Sequence, residues 1–137
     1  MSDVFQGQCL CGAIQFSSTS EPLFQANCHC DDCRKSGGGV YASFAFIPID
    51  SLSINKGEPS SFQHKSERGS EMTKYFCKDC GSQMFTSNSN FPERRGVRVG
   101  VIDNADWFQP MANVFTCRKL SSTPLDAEVT AFDKMPS

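Results

Sequence analysis

Thr73-Lys74-Tyr75-Phe76-Cys77-Lys78-Asp79-Cys80-Gly81-Ser82-Gln83-Met84-Phe85-Thr86 reads as a strand, a turn carrying two thiols, and a second strand. The glycine directly after the second cysteine lets the turn curl so that backbone N–H groups point at the sulfurs, the pattern of a zinc knuckle. A chance pair of surface cysteines has no need of that glycine. A hairpin whose turn is a metal clip argues for antiparallel sheet, and the flanking chain supports the same reading.

Residues 13–17 alternate apolar and polar side chains as in a half-buried strand, and residues 24–27 form a short strand leading into Cys28. Residues 40–47 place Val40, Ala42, Phe44 and Phe46 on one face before Pro48 stops them. Further short strands are predicted at 52–54, 60–62, 97–101 and 113–117, with loops at 34–39, 63–70 and 87–96. Phe44, Phe46, Phe76 and Phe85 are expected in the core. Many short strands, Gly/Pro turns and scarcely any helical periodicity predict an all-β domain.

The length of 137 residues suits one domain, 1–137, and no repeat or linker divides it. With 39% hydrophobic and 20% charged residues and a net charge of −2, no dominant field points to nucleic acid or to an anionic membrane as partner. The first residues, Met1-Ser2-Asp3-Val4-Phe5-Gln6, lack the basic run and apolar core of a signal peptide, and no stretch approaches membrane-spanning length. The expected setting is therefore reducing and cytoplasmic.

In that setting the eight cysteines read as metal ligands rather than disulfides, because seven of them fall into tight clusters. Pairing Cys9 and Cys11 with Cys77 and Cys80 gives a four-thiolate zinc site of formal charge −2 with no free position, a structural role. Cys28, Cys30 and Cys33 then form a three-thiolate site whose fourth position is open to water or substrate, the arrangement of a catalytic zinc. Cys117 is the competing fourth ligand that would close this second site.

Three ordered motifs resemble the glutathione-dependent formaldehyde-activating (GFA) family, which includes the centromere protein V type of domain. They are Gly7-x-Cys9-x-Cys11-Gly12, then Cys28-His29-Cys30-x-x-Cys33-Arg34-Lys35-Ser36-Gly37, then Tyr75-Phe76-Cys77-x-x-Cys80-Gly81-Ser82 followed by Phe85. Val99-Gly100-Val101-Ile102-Asp103 is similar to a later segment of the family, so the motif-bearing core runs from about 7 to 117. The resemblance implies an Mss4-like fold of coiled antiparallel sheets with two Zn2+ ions per chain. Cys9, Cys11, Cys77 and Cys80 match its structural site and Cys28, Cys30 and Cys33 its catalytic one, with Cys117 left out. The implied activity is that of a carbon–sulfur lyase or synthase: joining glutathione to formaldehyde as S-hydroxymethylglutathione, or the reverse. A three-thiolate zinc is electron-rich and a weaker Lewis acid than one with histidine ligands, which favours presentation of a thiolate.

Two departures bear on substrate. Asn113 stands where the family commonly has a histidine, and the tryptophan common near residues 120–124 is missing. His29, between two ligands, is a proton-shuttle candidate near pH 7 but is expected to face solvent, as is His64. Asp31 and Asp32 are expected to cap a short turn. Arg34, Lys35, Arg68 and Lys74 are candidate partners for glutathione's carboxylates, read as scattered surface cations. Besides a zinc enzyme acting on a glutathione adduct or another small electrophile, two other classes are open. One is a non-catalytic zinc module for a protein partner, and the other is a methionine sulfoxide reductase-like protein, whose paired CxxC motifs this chain does not fully reproduce.

Overall fold

The computed structural model describes residues 2–136, which build two sheets. β1 (Phe5–Gln8), β2 (Gln15–Ser18) and β5 (Leu52–Lys56) form a small antiparallel sheet in the order β1-β2-β5. The larger sheet takes β3 (Phe24–Cys28), β4 (Ala42–Pro48), β6 (Ser60–Lys65), β7 (Glu71–Phe76), β8 (Gln83–Asn88), β9 (Arg94–Arg98), β10 (Ala112–Val114) and β11 (Thr130–Ala131). Its order is β11-β10-β3-β4-β9-β8-β7-β6. From β3 to β6 every pairing is antiparallel, and the hairpin read from Cys77-x-x-Cys80 is the β7–β8 pair. At the other edge β10 lies parallel to β3 and to β11. The all-β expectation and its several sheets are thus met, and no helix among the described residues is long and apolar enough to cross a membrane.

Several boundaries differ from the sequence reading. Residues 63–65, expected in a loop, extend β6, which pairs with β7 from Ser60↔Phe76 to Lys65↔Glu71. β6 is an edge strand exposed on both faces, so it carries no alternation to betray it, and cross-strand pairing alone sets its length. β9 starts at Arg94 inside an expected loop and ends at Arg98, because residues 99–101 tighten into a 3₁₀ turn. β10 stops at Val114, where Phe115 enters the left-handed region at φ 55° and the chain coils through residues 116–118.

Residues 34–39 are not the expected flexible loop. They belong mostly to α1 (Asp31–Gly37), a helix of two turns. The Cys30 sulfur caps it by accepting the Cys33 N–H at 3.2 Å, Asp31 and Asp32 occupy its positive first turn, and the Gly38 N–H returns to the Arg34 carbonyl. An acidic pair, a basic pair and a glycine in that order are helix start and stop signals. Cysteine in place of the usual oxygen cap hid them.

The core falls into two apolar clusters. In one, Phe16 of the small sheet meets Phe85 of the large sheet edge to face, with centroids 5.0 Å apart, among Ile47, Met84 and Val97. This cluster also contains Cys9 and Cys77. In the other, Phe44, Ala112, Val114 and Phe115 pack with Cys28 and Cys33. Phe44 and Phe85 are buried as expected, whereas Phe46 and Phe76 are only half-buried. β4 is covered on both sides, which is why Ala45 and Ile47 are as deeply buried as Ala42 and Phe44.

The small sheet is pinned by Gly7, which bridges to Ile102 across the sheet edge. A Cβ at Gly7 would stand 2.1 Å from the Val101 carbonyl oxygen and 2.6 Å from the Phe16 ring. The backbone oxygen cannot swing aside as a side chain would. Gly7→Ala is therefore expected to destabilise the chain by about 3 kcal/mol, seen as a lower denaturant midpoint with an unchanged m-value. A midpoint matching wild type would show that the strand and the 99–101 turn are not in contact.

Candidate metal and substrate site

The four-sulfur group comes from two turns of similar build. Cys9 ends the chain leaving β1, and the Gly12 N–H donates back to the Cys9 carbonyl at 3.0 Å; Cys77 follows β7, and the Gly81 N–H donates to the Cys77 carbonyl at 2.7 Å. Both glycines have φ of 78°, a left-handed geometry that ordinary side chains resist. The Ile14 N–H points at the Cys9 sulfur at 3.3 Å, and the Leu10 N–H reaches the Ser82 hydroxyl across the two turns at 3.0 Å.

These contacts bring the sulfurs of Cys9, Cys11, Cys77 and Cys80 within 4.8 Å of one another. Cys9 and Cys11 are 3.7 Å apart, Cys11 and Cys77 3.8 Å. Sulfurs bound about 2.3 Å from a tetrahedral ion lie about 3.8 Å apart, so the group has the dimensions of a metal site. The Ser82 hydroxyl at 3.3 Å, then its backbone N–H, holds the Cys80 thiol down to about 5. Burial opposes ionisation of Cys9, yet the Ile14 N–H and the neighbouring thiols leave it below its ordinary value.

The second group is assembled by a strand end and a helix start. Cys28 is the last residue of β3, Cys30 caps α1, and Cys33 lies in its first turn. Their sulfurs also lie within 4.8 Å of one another, and Cys117 is not among them. The left-handed Phe115 and the turn after it carry Cys117 into solvent, so it does not act as a fourth member. Hydrogen bonds from Cys28, then from Cys33, pull the Cys30 thiol down to about 2, while the contact with Cys30 raises Cys28. The trio thus gives up its first proton readily from Cys30 and behaves as one coupled acid.

Two buried cations face this sulfur group. Arg98 of β9 passes under Gly37 to donate to the Ser36 hydroxyl of α1 at 3.0 Å and lies over the Phe44 ring at 4.9 Å. Burial pulls its pKa down, and the neighbouring thiols, Cys33 foremost, oppose that fall. Lys74 of β7 is 4% exposed, so it is not the surface cation expected, and its charge favours thiolate at Cys30. Positive charge at these two positions offsets an anionic sulfur site in a medium where water cannot.

The three-cysteine group opens into a cleft of about 860 Å³, whose wall includes Phe24, Phe44, Phe46, Val114 and Phe115. Arg68, Lys74 and His64 also border it. His64 is half-buried rather than exposed, with Nδ1 3.8 Å from an Asp32 carboxylate oxygen. Arg34 is drawn into an ion pair with Asp31, and Lys35 lies outside this cleft, beside a smaller hollow. The four-sulfur group forms no part of the cleft wall.

His29 does not face solvent as expected. Its backbone N–H extends the β3–β10 ladder to the Val114 carbonyl at 3.0 Å, which turns the ring inward. There it is 1% exposed, 5.0 Å from the Tyr41 ring, with Nε2 3.2 Å from the Asn113 Oδ1. Burial lowers its pKa, so it stays neutral, and it stands outside the cleft wall. Neither Asn113 nor any residue of 120–124 lines the cleft. The two departures noted in the sequence therefore leave the cleft lining untouched. What sequence reasoning missed is Arg94, at the cleft mouth between Phe46 and Phe91, inside a stretch read as irregular.

Comparison with known proteins agrees with this architecture. A crystal structure of a Rhodobacter sphaeroides protein superposes with a TM-score of 0.60 at 21% identity, over 93% of this chain and 98% of that one, and shows the shared fold. A Halomonas elongata protein bearing the family's name is 32% identical over 94 residues, 66% of this chain and 60% of the relative. A Schizosaccharomyces pombe protein named as an uncharacterized lyase is 28% identical over 86 residues, 63% of this chain and 59% of the relative. The matched stretch thus spans about three fifths of each of these relatives. The sequence profile of the glutathione-dependent formaldehyde-activating enzymes matches residues 4–118, and the chain belongs to that family.

Proposed function

We propose that this protein is a zinc-dependent carbon–sulfur lyase or synthase that interconverts S-hydroxymethylglutathione with glutathione and formaldehyde. The observation that carries this reading is the asymmetry of the two sulfur groups: the three-cysteine group opens into the large cleft, and the four-cysteine group does not. We assign a structural zinc to Cys9, Cys11, Cys77 and Cys80, and a catalytic zinc to Cys28, Cys30 and Cys33. A zinc held by three thiolates supplies a fourth position at which an incoming thiol is favoured as thiolate. The family membership and the lyase name of one relative support the same chemistry.

The chain's own residues then have distinct tasks. Phe44 and Phe115 keep water from the sulfur end of the cleft, which strengthens every charge interaction there. Lys74 presents an ammonium beside the sulfur group, placed to donate to the oxygen that gains negative charge as the new carbon–sulfur bond forms. In the reverse direction the hydroxyl proton passes to water in the cleft, the oxygen's electron pair forms the carbonyl of formaldehyde, the carbon–sulfur pair returns to sulfur, and the same ammonium favours the released thiolate. Arg98 offsets the charge of the site from behind and, through Ser36, fixes the helix that carries Cys33. A non-catalytic module with two closed sites would need a fourth ligand on the second group, and the solvent-facing position of Cys117 weighs against that alternative.

Metal analysis checks the assignment. Wild type is expected to hold about two zinc ions per chain, and Cys30→Ser about one with the fold retained. Cys117→Ser is expected to match wild type, and loss of zinc from it would remove the open site. Cys80→Ser is expected to lose the structural zinc and with it cooperative unfolding, since that ion ties segments distant in sequence. The activity is tested by NMR exchange spectroscopy of glutathione with labelled formaldehyde, in which wild type should accelerate exchange above the spontaneous rate and Cys30→Ser should not. Equal rates with and without wild-type protein would refute the proposed reaction.

A further inference from the structure

We propose that Arg94, clasped by Phe46 and Phe91, is a carboxylate-binding subsite at the far end of the cleft. Resting on the function proposed above, it selects thiols long enough to reach from the three-cysteine group to its guanidinium.

The Arg94 guanidinium carbon lies 4.1 Å from the centroid of the Phe91 ring and 5.2 Å from that of Phe46. Both rings lie within cation–π range of the guanidinium, whose N–H edge is its polar surface. A guanidinium carries five such donors. Among the described residues no carboxylate forms an ion pair with it, and no side-chain hydrogen bond uses them. The acids on the cleft wall already face other bases: Asp31 meets Arg34, Glu67 meets Arg118 and Lys134, and Asp32 lies by His64. The cleft therefore holds a preorganised fork of donors with no protein acceptor, for which a bidentate carboxylate is the matching ligand.

Register gives the distance. Ala42 stands opposite Cys28, and Phe46 is four residues further along β4, so the rings reach about 13 Å from the sulfur end at 3.3 Å per residue. A ligand with its sulfur at the three-cysteine group and a carboxylate on Arg94 must span on the order of 10 Å, the reach of an extended tripeptide. Cysteine and 2-mercaptoethanol fall short of it. The four charges that border the cleft without a carboxylate partner, Lys65, Arg68, Lys74 and Arg94, give such an anion a favourable path inward.

The test uses the zinc-loaded full chain and two probes without a thiol, 3-phenylpropionate and its amide, titrated by NMR while the Arg94 Nε–H resonance is followed. The acid is expected to bind about tenfold tighter than the amide and to shift that resonance, and Arg94→Gln should erase the preference. Equal binding of acid and amide overturns the subsite. So does an acid preference that leaves the Arg94 resonance unmoved or survives in Arg94→Gln, which would place the anion on the other cleft cations. The wild-type comparison decides the matter even if the variant misfolds. In the exchange assay, KM is expected to rise about tenfold for glutathione diethyl ester or for Arg94→Gln, with kcat and any 2-mercaptoethanol rate unchanged. If wild type accelerates no exchange, the proposed reaction fails while the phenylpropionate arm still judges the subsite.

Discussion

The meeting of the Cys9–Cys11 loop with the Cys77–Cys80 turn is the contact on which the rest of the structure depends. It joins segments 66 residues apart in sequence, and it does so where the small sheet must be laid on the large one. Thiols at these separations are not a packing device. Their sulfurs are small and their ionised forms repel, so an ion bound among the four would offset that repulsion and tie the two turns together. The apolar cluster beneath, with Phe16 against Phe85, supplies an area of contact between the two sheets. Neither half suffices by itself, since the small sheet has only three short strands to bury.

The second sulfur group is governed by a different constraint. Cys28 sits at the end of β3, where the ladder to β10 closes, and Cys30 and Cys33 ride on a helix of two turns. Such a helix has little stability of its own. It is held by Arg98 through Ser36 from one side, and by its sulfur cap within. The turn after β10 carries Cys117 into solvent and not to the trio, whose three cysteines line the cleft.

The grouping of the cysteines was legible because cysteine spacing and a trailing glycine are local signals, and Cys77-x-x-Cys80-Gly81 needs no tertiary information to be read. The strand content was legible for the same reason in β4 and β8, where apolar residues recur. β6 was not, since an exposed edge strand has no buried face to imprint a period. α1 was concealed by Cys30 acting as a cap, a role in which sulfur rarely serves. His29 and Lys74 were misplaced because burial of a polar side chain depends on partners far away in sequence, Asn113 for the one and the sulfur group for the other. Arg94 escaped notice for a similar reason: its significance comes from Phe46, on a strand nearly fifty residues earlier.

Charge decides how these parts act together. The chain carries a net charge of −2, yet its cleft gathers four cations, Lys65, Arg68, Lys74 and Arg94, that lack carboxylate partners, while its three acids face other bases. Lys74 and Arg98 are buried, and burial of an unpaired cation is costly unless an anion lies near. The three-cysteine group is the anion within reach, and with a zinc ion bound it keeps a formal charge of −1. Arg94, on β9 opposite Pro48, is too far from the trio to share in that balance, and the acids of the cleft wall are engaged elsewhere. On the function proposed above, a cation left over after the site's own charges are matched is matched by what the cleft receives, a ligand anionic at the end remote from its sulfur.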